Sequence, residues 1–176
     1  MQRVVFFPPF GTPLILGGDG VTDDTAAINA AISSGSRCQP GPNPGSGCQS
    51  STTSPAVVYF PAGTYMISAP IVLYYMTNMV GMVQSMPTIK ATADFNGLAL
   101  VDASPYLSAN TAYGSTNTFY RQVRNFQLDT TNMAASTLAR GIHWPTAQAT
   151  SLQNIVFRMS QANGNKHQGV FIEEGI

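Results

Sequence analysis

Charge is what this sequence has least of. Eight basic and eight acidic side chains cancel in 176 residues, and charged residues make up only 9% of the chain. Neutralising a run of phosphates takes clustered lysine and arginine, so no nucleic-acid partner is expected. No apolar run approaches the roughly 20 residues that cross a bilayer, so no membrane partner is expected either. Asp-Gly and Asn-Gly pairs such as Asp19-Gly20 and Asn96-Gly97 are few, which argues against a hairpin-built fold. GxSxG is absent, so nucleophilic serine catalysis has no supporting elbow. Gly17-Gly18-Asp19-Gly20 lacks the lysine of a phosphate loop, and Asp23 and Asp24 would repel phosphate; a tight turn is the simpler reading.

Cysteine is also scarce. Cys38 and Cys48 sit in a loop of Pro, Gly, Ser, Asn and Gln, without CxxC spacing and far in sequence from His143 and His167. Zinc wants four ligands, so no metal or other cofactor is expected. A disulfide stapling a surface loop fits better and points outside the cell. The N-terminal MQRVVFFPPFG shows no signal peptide, because Pro8 and Pro9 interrupt its apolar stretch.

Apolar residues reach 44%, enough for one sizeable core, and 16 glycines with 12 prolines make the chain turn often. One helix is expected over about 22–34, with Thr22 as N-cap, Asp23 and Asp24 in the first turn, a stripe of Ala27, Ile28, Ala31 and Ile32, and a stop at Gly35. A long loop over 37–55 follows. From residue 57 to 175 the pattern is short strand-like runs separated by breakers: Val57–Phe60, Tyr65–Ile67, Ile71–Tyr75, Met79–Val83, Thr88–Ala91, Leu98–Val101, Phe119–Leu128, Gly141–Trp144, Ile155–Met159 and Val170–Ile172.

Two markers recur. Asn125 and Asn154, each before a strand-like run, are 29 residues apart; Gly141 and Gly169, each before another, are 28 apart. Stacked coils of several short strands explain both, with inward Ile, Val, Leu and Phe and outward turn asparagines. The expected fold is all-β, a right-handed parallel β-helix whose N-terminal helix covers the open strand edge.

For chemistry, Glu173 and Glu174 are the acids best placed by composition, but neighbours on one strand face opposite ways and cannot flank a glycosidic bond. His143-Trp144 and His167-Gln168 fall at neighbouring places in the two repeats, so stacking would bring them together, with Trp144 offering a flat face to a sugar. Gln148, Gln153 and Gln168 supply uncharged donors and acceptors for hydroxyls or a water. A buried, hydrogen-bonded side chain is the plainer alternative for each histidine, and a core position for the tryptophan. Arg121, Arg124, Arg140 and Arg158 are expected in solvent or tied to carboxylates such as Asp129.

Gly18-Asp19-Gly20-Val21-Thr22-Asp23-Asp24-Thr25-Ala26-Ala27-Ile28 followed by Val58-Tyr59-Phe60-Pro61-Ala62-Gly63-Thr64-Tyr65 resembles the opening of the pectate-lyase-like superfamily. Phe119–Phe126, Gly141–Asn154 and His167–Gly175 are similar to the fungal secreted exo-β-1,3-glucanases of glycoside hydrolase family fifty-five. That resemblance runs from residue 18 to 175. It implies an extracellular, inverting hydrolase of β-1,3-glucan with two β-helix domains and a general-acid glutamate in the second. Here 1–17 is a divergent lead-in and 18–176 part of the first domain, so the chain is expected to be an inactive fragment lacking that acid. By motif, Gln148 and Gln168 would position the attacking water, with Glu173 a weaker candidate; Trp144, His143 and His167 would contact substrate. A non-catalytic glucan-binding remnant and a pectin-type lyase or hydrolase are the alternatives.

Overall fold

A computed structural model describes residues 2–3, 5–7, 15–43, 46–48, 51–107, 110–114, 117–145 and 148–173. Glu174 lies outside them. The chain opens with β1 (Gln2–Arg3), β2 (Val5–Phe7), β3 (Ile15–Leu16), β4 (Asp19–Asp23) and the helix α1 (Thr25–Ser33). Then come β5 (Ala56–Phe60), β6 (Thr64–Ile67), β7 (Ile71–Val72), β8 (Thr77–Gly81), β9 (Thr88–Ala91) and β10 (Val101–Asp102). The pair β11 (Tyr106–Leu107) and β12 (Asn110–Thr111) precedes β13 (Arg121–Asp129), β14 (Arg140–His143), β15 (Ser151–Arg158) and β16 (Gln168–Phe171).

These strands wind into a parallel β-helix with three faces. The first stacks β5, β8 and the leading halves of β13 and β15; the second stacks β4, β6, β9 and the trailing halves of β13 and β15. The third runs β7, β10, β14, β16. Parallel register carries one apolar row up each face: Val58, Met79, Val123 and Leu152; Tyr65, Ile89, Leu128 and Phe157; Ile71, Val101, Ile142 and Val170. The rows converge on one core, where Phe60 meets Phe126 edge to face with centroids 5.1 Å apart. Fully burying such a side chain is worth about 1.5–3 kcal/mol, and the three rows supply a continuous apolar seam between the coils.

Coil lengths are unequal: 21 residues from Ala56 to Thr77, 44 from Thr77 to Arg121 and 29 from Gln122 to Ser151. Only the last two coils share the period visible in the sequence. The long one carries an insertion, 103–120, between the third and first faces.

The first coil is covered on every face. β2 pairs antiparallel with β5, and β4 lies beside β6. On the third face, the Asn29 amide on α1 donates to the Pro70 carbonyl and accepts from the Val72 N–H, each at 2.9 Å, so one side chain stands where a neighbouring strand would. Ile28, Ala31 and Ile32 bury the helix beneath it.

The helix is shorter than the sequence implied, beginning at Thr25, whose N–H and hydroxyl are held by Asp23. Asp24 is the N-cap residue, but its carboxylate accepts from the N–H groups of Gly17 and Gly18 at 2.6 and 3.1 Å rather than from the helix. Thr22 is tied to Asp19 instead of capping. Cys38 and Cys48 form a disulfide with Cα atoms 5.1 Å apart. Arg121 is a second correction: it is fully buried, its guanidinium 4.7 and 4.5 Å from the ring centres of Tyr75 and Tyr113, with Nη1 donating to the Phe119 carbonyl. Aromatic faces and a carbonyl replace the carboxylate the sequence led one to expect, and it is Lys90 that pairs with Asp129, at 3.3 Å.

Candidate functional site

Variation between coils concentrates at one corner, where the chain leaves the third face to begin the next coil. The described residues there are 73–76, 103–107, 110–114, 117–120, 144–145 and 148–150. Met76, Tyr120 and Ala149 occupy one column at this corner, each in the left-handed region with φ of 55°, 57° and 58°. The adjoining column is Asn78, Gln122 and Ser151, in register on three successive coils. Neighbouring parallel strands lie about 4.8 Å apart, so the three polar groups form a regular row along the axis.

These two columns line a groove of about 290 Å³, completed by Thr150. Among the described residues its lining contains no charged side chain. Tyr120 is 40% exposed there, an aromatic face beside amide and hydroxyl groups. Gln148 is exposed and directly precedes Ala149 of the groove wall.

A second arrangement lies at the end of the third-face strands. His143 is fully buried; its Nδ1 is 2.8 Å from Asp102 Oδ1 and its Nε2 is 2.9 Å from Glu173 Oε1. Asp102, His143 and Glu173 come from three successive coils. Each ring nitrogen of His143 thus faces a carboxylate oxygen. Asp102 Oδ1 also accepts from the Ser104 N–H at 3.1 Å. Tyr106, at the start of the insertion, donates its hydroxyl to Glu173 Oε1 and stacks on His143 with centroids 5.3 Å apart. Phe171 stacks on the other side of His143 at 5.4 Å, and Arg140 lies over Phe171. The result is a column of rings along the axis, closed by two carboxylates.

The sequence-derived candidates separate. His143 stands in register with Phe171, and Gln168 with Arg140, so the two His-containing segments do not coincide. Gln168 sits at the start of its strand, where its Oε1 accepts from Arg140 Nε at 2.9 Å, whereas Gln148 lies past the strand ends at the groove. The structure therefore does not bring the two glutamines together. His167 is buried between loops: Nδ1 meets Thr130 Oγ1 at 2.9 Å and the Ser160 N–H, and Nε2 donates to the Ala134 carbonyl at 3.1 Å. Both nitrogens are used in tying 130–139 to 159–167, which gives His167 a structural task. Trp144 is 6% exposed and belongs to the core, so it offers no face to a sugar. Asp102, Tyr106 and the alignment of Asn78 with Gln122 escaped the sequence reading because the 44-residue coil hides their place relative to later coils.

A family model described as rhamnogalacturonase A/epimerase, pectate lyase-like, matches residues 16–176. The chain is 50% identical over 160 residues to a glucan 1,3-beta-glucosidase of Cochliobolus carbonum, covering 90% of this chain and 20% of that protein. It is 51% identical over 161 residues to a probable glucan endo-1,3-beta-glucosidase of Arthroderma benhamiae, covering 90% and 18%. A non-secreted LysM effector of Penicillium expansum is 48% identical over 159 residues, covering 90% and 12%. The chain thus spans a fifth or less of the length of these curated relatives. Among solved structures, ORF18 of Geobacillus virus E2 superposes with a TM-score of 0.52 at 24% identity, over 82% of this chain and 24% of that one, a likeness of fold.

Proposed function

The chain belongs to the rhamnogalacturonase A/epimerase, pectate-lyase-like family, and from that footing we propose that it is the first β-helix portion of a secreted glycoside hydrolase acting on β-1,3-glucan. One observation separates this reading from the uronate-directed alternatives: the groove is lined by Asn78, Gln122, Thr150, Ser151 and Tyr120, with no cation among the described residues of its lining to match a carboxylate-bearing polysaccharide. Amides and hydroxyls beside an aromatic ring suit a neutral sugar. The names of the two glucanase relatives support the same substrate class.

In the inverting scheme a carboxylic acid protonates the leaving oxygen while a base-activated water attacks the opposite face of the sugar. The proton donor belongs to a second β-helix domain, and this chain supplies one wall of the cleft. Gln148, exposed beside the groove, is the residue proposed to hold the water; Gln168 instead accepts a hydrogen bond from Arg140 at the start of its strand. The isolated chain then binds glucan without hydrolysing it.

Calorimetry of the 176-residue chain with laminari-oligosaccharides and with oligogalacturonates tests the reading. Binding of the former alone, weakened by Gln122→Ala and Tyr120→Ala, is expected; preference for oligogalacturonate overturns it. Glucose release from β-1,3-glucan by this chain alone overturns the division of labour between domains. Extracellular placement is checked by fractionating the native host's culture with an antibody to this chain.

A further inference from the structure

The aromatic side chains that stay substantially exposed among the described residues are Tyr106 and Tyr120, at 41% and 40%, and both lie on the insertion at the groove's corner. Tyr120 lines the groove. Tyr106 does not, yet it is the more firmly held. Its ring lies on His143 at an interplanar angle of 28°, and its hydroxyl is bound by Glu173. His143 is in turn fixed by Asp102 at its other nitrogen and backed by Phe171. Four side chains from three coils thus fix the plane and rotation of one partly exposed tyrosine.

An exposed side chain normally loses rotamer freedom when a ligand settles on it, and a side chain already fixed does not. A pyranose presents a face of C–H groups that packs on an aromatic plane, and the stacked His143 ring supports Tyr106 from behind. We infer that Tyr106 is a second sugar-stacking residue, taking a neutral pyranose of the same glucan chain at a position beyond the groove, and that the Asp102–His143–Glu173 array is there to hold it. This rests on the glucan-binding reading above. His143, Asp102 and Glu173 are positioning residues in this scheme, and none of them touches the sugar.

The test is calorimetry of the full 176-residue chain with a series of laminari-oligosaccharides of increasing length, comparing wild type, Tyr106→Ala, Tyr106→Phe and Tyr120→Ala, with each variant's melting followed by circular dichroism. Tyr106→Ala is expected to weaken binding of the longer oligosaccharides about five- to tenfold and of the shortest hardly at all. Tyr106→Phe keeps the ring but frees its rotation, and its loss should fall between wild type and Tyr106→Ala. Should the alanine variant not fold, the phenylalanine variant and the length dependence in wild type carry the decision. If wild type binds and Tyr120→Ala weakens it while both Tyr106 variants match wild type, the inference fails and the glucan reading stands. If wild type binds no laminari-oligosaccharide, both fail.

Discussion

Asn154 donates from its side-chain amide to Oδ1 of Asn125 at 3.0 Å, and both residues hold left-handed backbone conformations, with φ of 51° and 63°. Asn125 passes the bond on to the Gly81 carbonyl at 3.2 Å, so a ladder follows the corner between the first and second faces. Asparagine serves here twice, as an L-residue that tolerates positive φ and as a donor to the coil before it. Asn154→Gly removes the amide and keeps the backbone, and should cost about 0.5–1.5 kcal/mol. Asn154→Ala adds the left-handed penalty of about 1–2 kcal/mol. Urea unfolding should rank wild type, glycine and alanine in that order of stability; an alanine variant as stable as the glycine one would show that the backbone carries no such constraint.

Gly141 is the other marker of the repeat, and its reason is space. A Cβ there would stand 2.6 Å from two ring carbons of Phe157 and 2.7 Å from the Gly169 carbonyl oxygen. The Phe157 ring fills the core against the third face only because Gly141 and Gly169 leave room. Gly141→Ala should destabilise by about 1–3 kcal/mol through overpacking, even though alanine suits most backbones better. Phe157→Leu in the same chain should recover part of this loss and no more, since the carbonyl remains. A double-mutant cycle read by urea unfolding gives the coupling directly.

The fold was legible where local rules and stacking agree. Asn125 with Asn154, and Gly141 with Gly169, marked the repeat of the last two coils, and most strand-like runs fall within a few residues of the observed strands. The site was legible only in part. Glu173 and His143 stood out as residue types, but the residues that complete the array around them, Asp102 and Tyr106, lie in the long coil between Thr77 and Arg121, where no period connects Asp102 to His143. Trp144 and His167 read as ligand contacts because sequence gives type without direction: one is turned into the core and the other spans two loops. Arg121 was misplaced for the same reason. Nothing local announces that two tyrosines distant in sequence will enclose a guanidinium.

The strand edge covered by Asn29 gives a sharply localised expectation. Its amide supplies both the acceptor that Val72 N–H needs and the donor that the Pro70 carbonyl needs. Asn29→Ala leaves both partly buried groups without a partner, at about 1–3 kcal/mol for the pair. Asn29→Asp keeps the acceptor, loses the donor and sets a carboxylate oxygen against the Pro70 carbonyl, so it should be no better. Amide hydrogen exchange distinguishes this from general destabilisation: Val72 should lose protection earlier in the alanine variant than Leu73, which bonds to the Asp102 carbonyl.

Acid should loosen the second face first. Burial pushes the Asp129 carboxyl upward, but the Thr131 hydroxyl at 2.6 Å, the Thr131 N–H at 2.8 Å and Lys90 outweigh it, and the group is held below its ordinary 3.8. Asp23 behaves alike: burial raises it, while the hydroxyls of Ser68 and Thr25 and the N–H of Thr25 bring it below the same value. A carboxyl whose folded value is depressed binds its proton more readily in the unfolded chain. Its stabilisation is therefore fully present above the unfolded value and is lost as pH falls through the folded one. Unfolding free energy should stay level on acidification until about pH 5 and then decline. Asp129→Asn should be less stable than wild type at neutral pH and show a shallower decline. Lys90→Met should remove a smaller part, and added salt should diminish the Lys90 contribution while leaving the Thr131 bonds intact. Urea titrations of the three proteins between pH 7 and pH 3 measure this; a wild-type profile that rises on acidification would contradict the hydrogen-bonded state of these carboxylates.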